Sequence, residues 1–424
     1  MDDTFGGSDR FDPGATLPHP AAFVEPRPLF EPNVSMPARS STRRLAPIVL
    51  FLSALAPREE LVAQGDATSW QQAAGMIVDR MALVRGERVL LVGTPGLADP
   101  LVPALRAAVR AVGGIDLGAI SDHAAAPADW GTSFTNDFAR RPDAAARAEL
   151  LRTVDVAVMM PGPVAADPTY AAMQQVLATG HGRTVHFHWA GAYDVDGRPI
   201  PVTSGEARVY QRALLATDYV ALAARQRELE AAMRAGVIRV TTPGGTDLRF
   251  RIGDRPVTRQ DGDASAARAT RARNLIDREV ELPAGAIRVA PIEESVEGTI
   301  VFPPGVWGGE PVEGLRLTFA RGQVTAINAT AGRAAVEREL AGGDGAARRF
   351  RELALGLNPL LAVPEQRPWI PYYGYGAGVV RLSLGDNSEL GGNVKGPYVR
   401  WNFFLDATVT VGARTWVRDG HLIP

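Results

Sequence analysis

The sequence predicts a two-domain protein in which an α/β domain with a parallel sheet precedes a strand-rich α+β domain. The chain has 424 residues, more than one ordinary hydrophobic core accommodates. Up to about residue 236, apolar strand-like runs alternate with helix-like runs, which is typical of a parallel sheet covered by helices. Short β runs bounded by Gly and Pro follow. We therefore predict an extended or disordered arm, the α/β domain and the strand-rich domain at residues 1–44, 45–235 and 236–424.

The elements of the α/β domain follow from periodicity. Apolar residues at helical spacing predict helices, and short apolar runs next to turn residues predict buried strands. The predicted helices include residues 69–84, 99–114 and 219–236, together with ARAELLRTV and YAAMQQVLATG. The predicted strands are GERVLLVG (86–93), DVAVMMPGP (155–163) and RTVHFHWA (183–190).

The second domain is predicted mainly from alternating or β-branched runs between Gly and Pro residues. These runs are IRVTTPGGTDLRFRIG, AIRVAP, GTIVFPPG, GLRLTFARGQVTAIN and VVRLSLG. One helix is expected among them, around RAAVERELAGGDGAARRFRELALG.

Residues 1–44 show neither a helical nor a strand period and are rich in Pro, Gly, Ser and Asp. Disorder explains this composition, as does an arm that lies across another surface through its four phenylalanines. Residues 43–57 combine a basic start with an apolar run and resemble a secretory signal. The run contains Pro47 and is far shorter than the ~20 residues that span a bilayer. We therefore expect a buried element there and a cytoplasmic protein, with any targeting role left open.

Composition excludes several classes of function. A net charge of −2 gives no indication of a nucleic-acid partner, and no membrane partner is expected. The absence of cysteine excludes disulfides, thiolate metal sites and cysteine nucleophiles. The abundance of Ala, Gly and Arg is typical of a GC-rich bacterial genome.

The order of motifs resembles the aminopeptidase T family of metallopeptidases. The matching pieces are MALVRGERVLLVGTP, VTTPGGTDLRFRI, ELPAGAIRVAPIEESVEGTIVF, LRLTFARGQVTAINA, ARRFRELALGLNP, RLSLGDNSELGG and VRWNFFLDATV. This resemblance covers about residues 60–415 and implies a two-domain, dimeric protein. It also implies a dinuclear metal site in the C-terminal domain, formed by glutamates, histidines and an aspartate.

The ligands implied by the family are mostly replaced in this chain. The family glutamate after Leu-Pro falls on Ala286, and another is retained as Glu352. The family Glu-Lys pair falls on Gly374 and Tyr375. The turn that carries the family's catalytic tyrosine reads Asp-Asn-Ser here, at residues 386–388.

Arginine stands at two of the expected histidine positions. The first histidine falls on Arg381, and the closing His-x-Asp falls on Arg400 and Asn402. Arginine stays protonated and donates but does not accept hydrogen bonds, so it cannot coordinate a cation. We therefore expect neither a metal, nor another cofactor, nor ordinary metallopeptidase activity, and Glu352 is the sole catalytic candidate.

The sequence favours a binding protein that uses the former active-site cleft. Arg381 and Arg400 are expected to present planar forks to a carboxylate, with Glu352, Asn402 and Tyr375 beside them. The expected ligand is a peptide or a small molecule with an amino or carboxylate group. Presentation of a precursor peptide to partner enzymes, as in crocagin-type peptide natural-product biosynthesis, is one such role. A buried Arg–Glu network that replaces the metal as a structural element is the alternative for these residues.

Two further functions stay open. The scaffold also resembles the ring-opening dihydroxypyridine dioxygenases, whose His/Asp iron site this chain lacks, so an enzyme would act without a metal through Glu352. An active aminopeptidase requires a different set of ligands.

Two weaker features of the sequence are a pair of histidines and an aromatic run. His186 and His188 lie on one face of a predicted strand, and without an acidic partner nearby in sequence a structural pair is favoured over a metal site. The aromatic run PWIPYYGYG (368–376) is consistent with a groove lining and equally with a loop packed on the core.

Overall fold

The computed structural model describes most of the chain from residue 67 onward. The predicted arm and the segment 43–57 lie outside the described residues. The described ranges are 67–141, 143–188, 191–200, 204–364 and 368–424. The helices are α1 (Ala67–Met81), α2 (Leu101–Ala111), α3 (Ser133–Arg140), α4 (Ala144–Leu151), α5 (Pro168–Ala178), α6 (Ser204–Ala216), α7 (Tyr219–Ala235), α8 (Ala266–Thr270) and α9 (Arg333–Gly342). None of the described helices is both long and apolar enough to cross a membrane.

The strands belong mainly to one parallel and two antiparallel sheets. Those of the first half are β1 (Arg88–Val92), β2 (Ile115–Ile120), β3 (Val156–Met159), β4 (Arg183–Phe187), β5 (Ala192–Tyr193) and β6 (Pro199–Ile200). Those that follow are β7 (Ile238–Thr241), β8 (Asp247–Phe250), β9 (Val257–Arg259), β10 (Glu279–Leu282), β11 (Ala286–Val289), β12 (Glu297–Val301), β13 (Gly305–Trp307), β14 (Glu310–Val312), β15 (Arg316–Ala320) and β16 (Gln323–Asn328). The last are β17 (Phe350–Gly356), β18 (Ile370–Pro371), β19 (Val380–Gly385), β20 (Val399–Phe404), β21 (Thr408–Val411), β22 (Arg414–Arg418) and β23 (His421–Leu422).

The parallel sheet has the order β10-β4-β3-β1-β2, which confirms the predicted α/β arrangement. Successive strand residues point to opposite faces of the sheet, and because both faces carry apolar residues, helices cover both of them. Val89 and Leu91 pack with α1 and α2, whereas Leu90 and Val92 pack with α3 and α5. Its edge strand β10 comes from beyond residue 236, so the chain returns from the second half to complete the first sheet.

The two antiparallel sheets of the second half pack face to face. Their orders are β20-β19-β17-β11-β9 and β16-β15-β12-β8-β7-β21-β22-β23. Phe350 of β17 lies between Phe250 and Phe319 of the larger sheet, at ring-centroid distances of 5.5 and 6.1 Å. The apolar faces of the two sheets thus form the core, and the other face of the smaller sheet is free for polar residues.

The predicted helix around residues 333–356 is only partly correct. Helix α9 ends at Gly342, and the sequence FRELALG forms the strand β17, in which every residue is buried. Its Arg, Glu, Leu and Ala residues have good helical propensity. Pairing with β11 on one side and β19 on the other outweighs that propensity.

Candidate functional site

Two polar clusters lie on either side of the tyrosines at positions 372–375. We call the first the Arg–Glu cluster: Arg288, Arg351, Glu352, Arg381 and Glu389. We call the second the His–Glu cluster: His186, His188 and Glu281. The stacked ring of Tyr372 contacts His188, with centroids 3.4 Å apart, and the carbonyl oxygen of Tyr373 accepts a hydrogen bond from Arg381 Nη1 (3.0 Å).

Strand register places the Arg–Glu cluster on the polar face of the smaller antiparallel sheet. Ala354 of β17 is paired with both Arg288 of β11 and Arg381 of β19, so these two arginines share a face. Glu352, two residues before Ala354, points the same way. A register shift between Phe350 and Glu352 leaves Arg351 in a bulge, and this local irregularity brings its side chain to Glu352.

Glu352 is the anion at the centre of this cluster. Its oxygens lie 3.0 Å from Arg288 Nε, 3.2 Å from Arg381 Nη2 and 3.3 Å from Arg351 Nε. The hydroxyl of Ser383 donates a further hydrogen bond (3.3 Å). Burial acts to raise the pKa of Glu352, but the three guanidinium groups hold it well below its usual range. The side chain therefore stays ionised and is a poor proton acceptor.

The cluster carries more positive than negative charge. Glu389 is its second carboxylate and pairs with Arg288 Nη2 (3.2 Å) and with Arg351. Three guanidinium groups thus face two carboxylates. Burial lowers the pKa of Arg381, and the neighbouring Arg288 lowers it further, whereas Glu352 opposes the shift.

Arg381 has unused hydrogen-bonding capacity. Its side chain is 1% exposed, and among the described residues neither Nε nor Nη2 has a hydrogen-bond acceptor. The contact from Nη2 to Glu352 is close enough for an ion pair but is not aligned as a hydrogen bond. The ring centroid of Trp401 lies 5.0 Å from Cζ of Arg381. The indole N–H of Trp401 also lacks a hydrogen-bond acceptor among the described residues. Buried donors without partners are rare in native proteins.

The Arg–Glu cluster does not fit the dinuclear metal site that the family resemblance implies. A pair of divalent cations requires several carboxylates and neutral imidazoles. Glu352 is instead surrounded by three guanidinium groups, which repel cations, and Ala286 of β11 offers no ligand atom. No step of a reaction can be assigned to metal ions at this position.

The predicted grouping of Arg400 and Asn402 with Arg381 is wrong. Arg381 is paired with Phe403, and Arg400 with Leu384, so the two arginines point to opposite faces of the sheet. Arg400 Nη1 contacts Glu339 of α9 (3.0 Å), and its guanidinium stacks on Trp307 at 3.6 Å. Asn402 accepts a hydrogen bond from Arg400 Nε (3.3 Å) on that same side.

The aromatic run at 368–376 is packed against the core and also faces both clusters. Tyr375 is 1% exposed, and its ring lies 6.5 Å from that of Tyr373. Burial raises the pKa of Tyr375 well above its usual value, so its hydroxyl stays protonated. Tyr373 also lies 4.7 Å from Trp401, which extends the aromatic wall around Arg381. Of the two alternatives left open by the sequence, the structure shows a run packed on the core, and a groove lining stays a prediction.

The His–Glu cluster is formed by neighbouring parallel strands. In the register of β4 and β10, His186 is paired with Glu281, and His188 follows on the same face of β4. The intervening residues Val185 and Phe187 point to the opposite face and join the apolar core. Glu281 lies 2.5 Å from His188 Nε2 and accepts a hydrogen bond from the hydroxyl of Tyr372 (3.1 Å).

The sequence did not reveal the acidic partner of the histidines. Glu281 is 93 residues beyond His188, and only the return of β10 to the parallel sheet brings them together. The alternation of glutamates in EVEL, directly before Pro283, was the available signal because strand residues two apart share a face.

Burial controls the protonation of this face. It lowers the pKa of His186 to about 4. It raises the pKa of Glu279 to about 8, although Gln174 donates a hydrogen bond to this carboxyl group (3.1 Å). Burial also acts to raise the pKa of Glu281, but the two histidines and Tyr372 hold it below its usual value. Near neutral pH the face thus carries a neutral imidazole at His186, a protonated Glu279 and an ionised Glu281.

Comparison with known proteins supports an aminopeptidase T-like scaffold. The profile of the family described as thermophilic metalloprotease (M29) matches residues 221–361. Wild-type AmpT from Thermus thermophilus is 18% identical, with a TM-score of 0.52 over 84% of this chain and 99% of that chain. The 2,5-dihydroxypyridine dioxygenase from Pseudomonas putida KT2440 is 16% identical, with a TM-score of 0.57 over 85% and 98%. Comparison with the curated proteins found no match.

Proposed function

We propose that this protein is a non-hydrolytic, aminopeptidase-like binding protein that holds a peptide or a related molecule by its carboxylate at Arg381. The observation that carries the proposal is the pair of unused donors on the buried Arg381 guanidinium. A ligand carboxylate would accept from both nitrogens at once, which is the geometry that arginine favours. A precursor peptide of a biosynthetic pathway is one ligand of this type.

Charge and hydrogen-bond donors support the same ligand class. The excess of one guanidinium in the Arg–Glu cluster favours binding of an anion, because charges in a poorly solvated site interact strongly. The indole N–H of Trp401 adds a donor next to Arg381. Tyr373, the one partly exposed tyrosine of this run, would offer aromatic surface for a side chain of the ligand.

Hydrolysis of the M29 type is poorly supported at this position. Glu352 is the one family ligand that the sequence retains, and its ion pairs with three arginines make it a weak base. This also argues against the metal-free enzyme considered as an alternative. We expect the purified protein to leave aminoacyl-p-nitroanilides unhydrolysed when Zn²⁺ or Co²⁺ is added.

The proposal is tested by titrating the protein with a set of short peptides, each prepared with a free and with an amidated C-terminus. We expect measurable binding of free-carboxylate peptides and at least tenfold weaker binding of their amides. Arg381→Met should reduce affinity for the free peptides at least tenfold and abolish the preference, because the bidentate contact is lost.

Arg400→Met is the matched control. It removes an arginine whose side chain is 13% exposed and, like that of Arg381, makes an ion pair and an aromatic contact. Arg400 lies on a neighbouring strand of the same sheet but on the opposite face. Its binding should equal that of the wild type. Equal affinity for free and amidated peptides, or equal losses in the two variants, would contradict the proposal.

A further inference from the structure

We infer that His186, His188 and Glu281 form a binding site for one divalent first-row transition-metal ion, such as Zn²⁺. The site lies on the parallel sheet, outside the Arg–Glu cluster, and does not depend on the ligand proposed for Arg381. It departs from the expectation that the protein binds no metal.

The geometry places three suitable ligand atoms together. One nitrogen from each histidine and one oxygen of Glu281 all lie within 4.8 Å of one another, and among the described residues this is the one group of three such side chains. Ligand atoms around a tetrahedral Zn²⁺ are about 3.3 Å apart, given bond lengths near 2.0 Å. When an ion enters, the Glu281–His188 contact of 2.5 Å would open and the longer separations would close by up to about 1.5 Å.

Two imidazoles and one carboxylate are a donor set that binds Zn²⁺ and Fe²⁺ and leaves coordination positions open. Partners that orient the ligands are present. The hydroxyls of Tyr170 and Thr184 lie 3.2 and 2.9 Å from the two ring nitrogens of His186, so one of them continues to orient the ring when the other nitrogen binds the ion. Tyr372 orients Glu281 in the same way.

A structural role alone accounts poorly for this face. Strands of a parallel sheet covered by helices are normally apolar on both sides. Here β4 and β10 carry Thr184, His186, His188, Glu279 and Glu281 on one face. Burying so many ionisable groups costs free energy, and such groups concentrate at functional sites.

An ion from solution can reach the ligands. The side chains of His188 and Glu281 are 21% and 14% exposed, whereas His186 behind them is buried. The site thus has an open side formed by two of its three ligands.

The test is calorimetric titration of the full chain, free of any affinity tag, with ZnCl2. We expect one ion per chain, and at least tenfold weaker binding in both His188→Gln and Glu281→Gln. The matched control is His123→Gln, because His123 also pairs with a carboxylate, Asp167 at 2.8 Å, but is not part of a group of three ligands. Binding in this control should equal that of the wild type.

X-ray absorption spectroscopy of the Zn²⁺-loaded wild-type protein identifies the metal ligands directly. This measurement does not require that any variant folds. Two imidazole ligands and oxygen donors are expected. Absence of stoichiometric binding, a single imidazole in the spectrum, or unchanged affinity in both variants would overturn the inference. Peptide binding that depends on Arg381 is measured separately, so either proposal can fail without the other.

Discussion

The Arg–Glu cluster and the His–Glu cluster show two different solutions to burying charge beside the same tyrosines. In the first, three guanidinium groups surround Glu352, and attraction between opposite charges offsets the loss of hydration. In the second, burial shifts the pKa of Glu279 and His186 so that both side chains are neutral near pH 7. The first cluster carries an excess of positive charge, whereas the second retains lone pairs on neutral and anionic side chains.

The two clusters also differ in the ligands they offer to a metal ion. Arginine at position 381, where the family resemblance implies a histidine, has no lone pair to offer a cation. The Arg–Glu cluster contains no imidazole, whereas on the neighbouring sheet two imidazoles occur together with a carboxylate. A count of histidines, glutamates and arginines therefore does not describe the two clusters. What each cluster can bind depends on which of these side chains lie on which sheet.

The largest effect on the Arg–Glu cluster should come from Glu352→Gln. This change leaves three buried guanidinium groups with one carboxylate, and the expected loss is about 3–5 kcal/mol in the free energy of unfolding. Urea denaturation measures it. Glu337→Gln, which affects the exposed pair with Arg333 on α9, is the control and should cost about 1 kcal/mol or less. Similar losses in both variants would show that Glu352 is not the centre of the cluster.

Acid should remove the contribution of ionised Glu352 to the free energy of unfolding. The pKa of Glu352 is held below its unfolded-state value of about 4.3, so its stabilisation is complete above that pH and is lost as the pH falls towards the native pKa. The difference in unfolding free energy between the wild type and Glu352→Gln should therefore narrow below about pH 4.3. Urea titrations between pH 7 and pH 3 follow this difference, and a constant value across the range would argue against the ion pairs.

A smaller effect is expected at the His–Glu cluster from Tyr372→Phe. The ring and its stacking on His188 remain, but Glu281 loses a hydrogen bond to its charged carboxylate, which costs about 2 kcal/mol. Tyr219→Phe is the comparison, since its hydroxyl donates to the neutral carbonyl of Leu214 at 2.8 Å and should cost about 1 kcal/mol. Equal costs in urea denaturation would mean that Glu281 is not ionised in the native state.

Sequence reasoning predicted the layout of the molecule better than its site. The parallel sheet and the strand-rich second half followed from local periodicity, and Glu352 and Arg381 do lie together. The error at Arg400 arose because the face of the sheet to which a side chain points depends on the register between β19 and β20. Sequence spacing does not reveal that register. Glu281 was missed for a related reason, since parallel strands distant in sequence bring it to His188. The strand β17 was taken as part of a helix because its residues favour helices locally.

The short link between β10 and β11 has a mechanical consequence. Residues 283–285 alone connect a strand of the parallel sheet to a strand of the smaller antiparallel sheet. Each strand is held in its own ladder, so the two sheets cannot separate at this edge without breaking backbone hydrogen bonds. Glu281 and Arg288, one from each cluster, lie on either side of this link. The positions of the two clusters relative to one another are therefore fixed in part by a main-chain link of three residues.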